Sequence, residues 1–354
     1  MQENYLIGMM SGTSLDGLDL AYCKFTYDRV WSYSIIHSKI FEYSDKFREI
    51  LKKAPSLNSF ELKNLSDDFG LLMAEELKKF TTQFSINQLD GIASHGHTVF
   101  HEPEKRITIQ IGSPEAIYSI FKCPIIYDFR SQDVAMGGQG APLVPLADKY
   151  LFSSYQACLN LGGFSNISFD IDEIRIAFDI CPVNIVLNLL SNKIGILYDD
   201  KGFESSKGSI NIKLFKSLNN LEYFSQTFPK SLAQEWVIKE VIPLLDASGI
   251  SVKHQMRTFV EHVVFQINKV VIAHEIQSVL ITGGGAYNDF LLSRLNDISS
   301  CVWHKADNTL IQNKEAMCFA FLGLLRLKNE VNIWSSVTGC VNDHSSGRIY
   351  PQEL

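Results

Sequence analysis

One pattern occurs twice in this chain of 354 residues. An apolar run, a turn rich in glycine and polar residues, and a second apolar run appear as "LIGMMSGTSLDGLDLAYCKF" over Leu6–Phe25. They return as "ACLNLGGFSNISFDIDEIRIAFD" over Ala157–Asp179. A plain hairpin needs only about two turn residues. The first turn instead carries Ser11, Gly12, Thr13, Ser14, Asp16 and Gly17, a set of hydroxyls, glycines and a carboxylate that suits a phosphate site next to a metal ion. A long turn without function is the plain alternative. Two halves that each open on such a hairpin predict a duplicated fold with a cleft between the halves.

The segments around the repeats read as alternating strands and helices, which predicts an α/β fold. "VWSYSIIHSKIFEY" reads as a third strand, and apolar residues at three and four spacing predict a helix from about Asn58 to Phe80. "LDGIASHG" and "PIIYDF" read as buried strands, with a helix over Ser113–Phe121 between them. A Gly- and Pro-rich loop is expected from Arg130 to Pro145. Helices follow at Val183–Asn192, Leu232–Leu245 and Val252–His274, with the last starting near Lys314. The domain boundaries expected are 1–150 and 151–354, with the last helix free to pack back on the first domain.

The formal net charge is -7, which argues against nucleic acid as a partner. The 7 cysteines form no CxxC pair, so neither a disulfide framework nor a zinc ribbon is expected. No signal segment and no membrane-spanning run is read, and a cytoplasmic setting without a membrane partner is expected.

Gly12, Gly17, Gly162 and Gly163 allow close approach to phosphate, because backbone N–H groups in Gly-rich turns form anion-binding concavities. Asp16 or Asp19 can orient Mg²⁺, a hard cation that takes oxygen ligands. "ITGGGAYN", with Gly283, Gly284 and Gly285, follows a strand and opens a helix, as an adenosine or phosphate contact would, but lacks the GxGxxG spacing. "HGHTVFHEP" holds His95, His97, Thr98 and His101; a metal site, a sugar-binding loop and a structural loop are the three readings. Asp179 ends an apolar strand before a helix, where it acts either as a general base or as a helix cap. Arg130 suits a carboxylate through its planar fork, or a surface ion pair. Glu315 near a helix start is explained by the helix dipole alone.

"GMMSGTSLDGLD", "HGHTVFHEP", "DFRSQDVAMGGQGAPLVP", "LNLGGFSNIS" and "TGGGAYN", in this order and over nearly the whole chain, resemble the anhydro-N-acetylmuramic acid kinases. The resemblance implies two duplicated actin-like (ribonuclease H-like) domains around a central ATP cleft. It implies a kinase that opens the 1,6-anhydro ring of its sugar with water and phosphorylates the freed 6-oxygen from ATP, in peptidoglycan recycling. ATP and Mg²⁺ would be its cofactors, the sugar its small-molecule partner, and a homodimer its state. The ATP loop carries over to Gly12, Thr13, Ser14, Leu15, Asp16, Gly17, Leu18 and Asp19, with Gly162, Gly163, Asn166 and Gly283–Gly285 in the second half. Asp179 carries over as general base, Thr98, Arg130 and Glu315 as sugar contacts, and Arg130 would pair with the lactyl carboxylate.

Three departures stand out from the family pattern. His97 replaces a Gln, Tyr287 replaces a frequent His, and "DICPVN" replaces "DTGPGN", so that Ile180, Cys181 and Val183 stand where Thr and two Gly are usual. A β-branched residue does not easily keep positive φ, so another loop shape beside Asp179 is expected. The alternatives are another sugar kinase of the same superfamily and a catalytically impaired nucleotide-binding relative.

Overall fold

The computed structural model describes residues 2–12 and 14–351. Its chain divides into two units, Met1–Leu151 with Asn313–Leu354, and Phe152–Gln312. The first unit begins with β1 (Gln2–Ser11), β2 (Gly17–Asp28) and β3 (Val30–Glu42), an antiparallel meander. Next come β4 (Gly91–Glu102), β5 (Ile107–Ile111) and β6 (Ile125–Tyr127). Strands β1, β4 and β6 are mutually parallel neighbours. The second unit repeats this plan. β7 (Ala157–Leu161), β8 (Phe164–Ile171) and β9 (Ile174–Pro182) form the meander, and β10 (Ser278–Thr282) and β11 (Val302–Lys305) add in parallel. The strand orders β3-β2-β1-β4-β6 and β9-β8-β7-β10-β11 match position by position. This is the duplicated actin-like, ribonuclease H-like architecture. The first sheet carries two additions, β5 on β4 and the C-terminal β12 (Arg348–Tyr350) on β6.

The cores follow from the apolar periods. Helix Ser59–Gln83 starts at a capping box, in which the Asn58 side chain accepts from Glu61 N–H and the Glu61 side chain accepts from Asn58 N–H. Its Leu65, Phe69, Met73, Leu77 and Phe80 are buried at helical spacing, against Ile7, Leu18, Leu20 and Ile92 of the sheet. Helix Val252–Ala273 does the same in the second unit through Met256, Phe259, Val260, Val263 and Ile267. Each such fully buried side chain contributes about 1.5–3 kcal/mol.

Three boundaries differ from the sequence reading. The second domain, expected over 151–354 with the last helix free to pack back on the first, ends at Gln312, and all of Asn313–Leu354 belongs to the first unit. The reason is close backbone packing. A Cβ at Gly8 of β1 would overlap the carbonyl oxygen of Ala316, and one at Gly323 would lie 2.5 Å from the Ala93 Cβ of β4. Glycine at both positions lets helix Asn308–Leu327 lie directly on the sheet. That helix begins at Asn308 rather than near Lys314. The loop from Arg130 to Pro145 contains a short helix, Ser131–Ala135, anchored by buried Asp133 and Val134. Among the described residues, no helix is long and apolar enough to cross a membrane.

Candidate active site

The hairpin of the first unit turns between Ser11 and Gly17. Leu15 N–H donates to the Gly12 carbonyl, and Leu15 sits at φ 61. Thr13 lies outside the described residues. Ser14 and Asp16 are exposed on the turn, Leu15 is half-buried, and Leu18 is buried in the core beneath. Gly17 is required by packing, since a Cβ there would meet the Phe41 carbonyl oxygen at 2.5 Å. The base of the turn is held by a chain of polar groups. Tyr43 Oη donates to Ser11 Oγ at 2.7 Å, and Ser11 Oγ lies 3.1 Å from His97 Nδ1. His97, the departure from Gln, thus braces the hairpin from the neighbouring strand β4. Burial lowers its pKa, which keeps it neutral.

Asp19 follows on β2, paired with Met10 of β1. Its pKa is pushed up to about 7, first by burial and then by repulsion from Glu315 and Asp16. Glu315 reaches this range because Gly8 admits the backbone of the next residue, Ala316. Burial raises the Glu315 carboxyl above its ordinary value, although part of the residue remains exposed. Arg130 and Lys314 oppose that rise. Asp19 and Glu315 thus repel each other, and only Glu315 has cations, Arg130 and Lys314, among its contributors. Lys314 is itself anchored to buried Asp148 at 2.8 Å.

Arg130 follows β6 and is half-buried. Its Nε donates to His95 Nε2 at 2.9 Å, and its Nη1 donates to the Gly140 carbonyl at 2.5 Å. Because His95 accepts at Nε2, its proton resides on Nδ1, which lies 3.0 Å from the Gly96 carbonyl. Burial and the adjacent Arg130 charge hold His95 neutral, well below the usual imidazole range. Burial brings Arg130 down to about 10, against the pull of Glu315 and Asp133. Thr98, on β4, is half-buried and accepts from Gln110 Nε2 at 3.3 Å. The three polar side chains of "HGHT" are thus engaged separately, His95 by Arg130, His97 by Ser11 of the hairpin and Thr98 by Gln110.

In the second unit, Gly162 and Gly163 form the tight turn between β7 and β8. Gly162 N–H donates to the Phe164 carbonyl at 3.0 Å, so it is already engaged. The Gly162 and Gly163 carbonyls accept from the amides of Asn184 and of Val183 and Ile185, at the start of helix Asn184–Asn192. The turn thereby caps that helix. Asn166 is exposed on β8, opposite Asn160 of β7 on one side and Asp179 of β9 on the other. Gly283, at φ 82, and Gly285 lie against β7: added Cβ atoms would meet Asn160 Oδ1 at 2.5 Å and Leu161 Cβ at 2.7 Å. Gly284 is exposed between them.

Asp179 does not cap a helix; Val183 holds that position. A β-bulge after Asp179 places one extra residue, Ile180, in β9. The main chain of Asp179 is tied on both sides, its N–H to the Lys230 carbonyl at 3.2 Å and its carbonyl to Tyr223 Oη at 2.6 Å. Its Oδ2 accepts from Leu232 N–H at 2.9 Å. Burial raises its pKa and the Leu232 bond opposes the rise. The altered loop explains itself in packing terms. Ile180, Cys181 and Val183 are all buried in the core of this unit, and Val183 has φ -131, so no positive φ is needed. These three side chains lie on the core side of the bulge, and the Asp179 carboxyl is half-buried.

A family model described as anhydro-N-acetylmuramic acid kinase matches residues 4–352. The chain is 32% identical to the anhydro-N-acetylmuramic acid kinase of Haemophilus influenzae, over 100% of this chain and 99% of that one. It is 31% identical to the enzyme of that name from Mannheimia succiniciproducens, over 99% and 100%. The chain belongs to the anhydro-N-acetylmuramic acid kinase family. Among solved structures, it is similar to component A of (R)-2-hydroxyglutaryl-CoA dehydratase from Acidaminococcus fermentans, with 11% identity, 90% and 96% coverage and a TM-score of 0.47. For this member of the anhydro-N-acetylmuramic acid kinase family, sequence reasoning left four supports unassigned: His95 behind Arg130, Tyr43 and His97 behind Ser11, and Leu232 behind Asp179. The histidines were visible as an "HGH" pair; Leu232 acts through its backbone, which carries no sequence signal.

Proposed function

We propose that this chain uses ATP to phosphorylate anhydro-N-acetylmuramic acid while water opens its 1,6-anhydro ring, giving N-acetylmuramic acid 6-phosphate in peptidoglycan recycling. The observation that carries the proposal is Asp179. Its main chain is tied on both sides, and its carboxyl is half-buried and fixed by one N–H bond, which suits a general base. In this reading Asp179 takes a proton from water as the water oxygen bonds to the anomeric carbon. The C1–O6 bond breaks, and O6 attacks the γ-phosphorus with release of ADP. Arg130, already oriented by His95 and Gly140, takes the lactyl carboxylate with its remaining donors, and Thr98 contacts the sugar.

Gly12–Asp19 in one unit and Gly162, Gly163, Asn166 and Gly283–Gly285 in the other are proposed as the nucleotide contacts. The Asp19 carboxyl is raised first by burial and then by the charges of Glu315 and Asp16, and such oxygen groups suit a hard divalent cation. Asp16 and Asp19 would hold Mg²⁺, which when bound offsets phosphate charge. The proposal includes the cytoplasm as the compartment, since ATP is the donor, and a homodimer as the working state, which light scattering checks. The test is phosphate transfer from ATP to anhydro-N-acetylmuramic acid beside glucose-type sugars. Turnover with the muramyl sugar alone supports the reading; preference for glucose moves the chain to the rival sugar-kinase reading.

A further inference from the structure

The Gly-rich loop after Arg130 meets the C-terminal segment at a cluster that has no part in the proposed reaction. Asp133, Cys340 and His344 are all buried, and one candidate ligand atom from each lies within 4.8 Å of the other two. Among the described residues, this is the one group of three or more His, Cys, Asp or Glu side chains so placed. Cys340 Sγ and His344 Nδ1 are 3.7 Å apart, and each is 3.1 Å from the Asn342 carbonyl oxygen. The other ring nitrogen, His344 Nε2, is buried without a hydrogen-bond partner and lies 3.8 Å from Asp133 Oδ1.

Hydrogen bonding alone leaves this arrangement incomplete. If Nδ1–H donates to Asn342, a neutral imidazole turns its Nε2 lone pair toward a carboxylate, and two acceptors face each other in a buried place. Either a second proton on the ring or a metal cation resolves that conflict, and the neighbouring thiol suits the metal. Zinc takes thiolate at about 2.3 Å and imidazole at about 2.0–2.1 Å, so its tetrahedral S···N edge is about 3.6 Å. With the ion on Nε2, Asp133 Oδ1 already lies 3.8 Å from that nitrogen, the 3.7 Å contact of Cys340 Sγ is to the other ring nitrogen, and side-chain rotation within the 4.8 Å cluster brings the thiolate to the ion.

We propose that Asp133, Cys340 and His344 bind a zinc-class divalent metal ion through the carboxylate, the thiolate and Nε2, while Nδ1–H stays on the Asn342 carbonyl. One thiolate, one imidazole and one carboxylate make a mixed set that favours zinc over magnesium or calcium. Binding forms the metal–sulfur bond and releases the Cys340 proton to solvent, so affinity falls as pH falls. The ion pins the loop that positions Arg130. Asp133 already accepts from Gly140 N–H and from Thr338 Oγ1, both at 2.7 Å, and Gly140 supplies the carbonyl that holds Arg130.

The full chain, stripped with a chelator and titrated with Co²⁺, tests this. The expected result is one equivalent bound, with a near-ultraviolet thiolate-to-cobalt band that Zn²⁺ abolishes. Cys340→Ser should lose the band. His344→Gln should keep its fold by circular dichroism and lose about 100-fold or more in Co²⁺ affinity, since even outer-shell partners are worth about 10–100-fold. No stoichiometric uptake by the wild type, or a band that persists in Cys340→Ser, overturns the proposal. Should Cys340→Ser not fold, unchanged affinity in His344→Gln overturns it equally.

Discussion

Asp19→Asn tests the carboxylate cluster without any ligand. Asp19 is pushed up to about 7 from 3.8 in an unstructured chain. The folded state therefore favours the protonated acid. Between these two values the native protein binds more protons than the unfolded chain, so stability falls as pH rises. The loss begins near pH 4 and is complete a little above pH 7. Three units of pKa correspond to about 4 kcal/mol at 1.36 kcal/mol per unit. Asp19 is partly open to solvent, and screening of such groups reduces this to roughly 2 kcal/mol. Asparagine mimics the neutral acid at every pH. Urea denaturation of the wild type and Asp19→Asn at pH 4.5, 6 and 8 should thus show a gap that widens with pH, the mutant being more stable at pH 8 by about 2 kcal/mol. Glu315→Gln should recover part of the gap, because Glu315 is the larger of the two charge contributors. A gap constant with pH, or a mutant less stable at pH 8, refutes the argument.

Asp179→Asn should leave nucleotide binding close to normal and lower kcat by about 10²–10⁴-fold, measured by coupled ADP release; near-normal turnover would remove the base assignment. Arg130→Lys should weaken binding of the muramyl sugar by about 1.5–3 kcal/mol, with ATP affinity unchanged, because lysine cannot reproduce the fork. Calorimetry with an analogue lacking the carboxylate should show no difference between the two proteins, and an equal loss for both ligands would make Arg130 a scaffold residue.

The duplicated plan was legible because each hairpin combines two apolar strands with a Gly-rich turn, and that signal is local. The sequence reading places Asp179 at the end of an apolar strand; it lies three residues before the end of β9, ahead of a bulge the sequence does not signal. The partition of the chain was legible only in part: the last helix reads as free to pack back on the first domain, but the boundary at Gln312 was not legible. Helix Asn308–Leu327 joins the first unit through Gly8, and a glycine in a strand does not announce which backbone lies on it 308 residues later. Nor was the support of the site. His95 and Arg130 are 35 positions apart, and Asp179 and Leu232 are 53 apart, so their contacts arise only from the fold. Beside Asp179, Ile180, Cys181 and Val183 are buried in the core of the second unit, and the carboxyl stays half-buried.

The most direct test of the central claim is the product itself. The chain is incubated with anhydro-N-acetylmuramic acid, ATP and Mg²⁺, and the sugar is analysed by mass spectrometry and by reduction with borohydride. The account predicts a sugar that has gained both a phosphate and a water, reduces at C1, carries its phosphate on O6, and forms in step with ADP. A phosphorylated sugar that keeps its anhydro ring and resists reduction would contradict it.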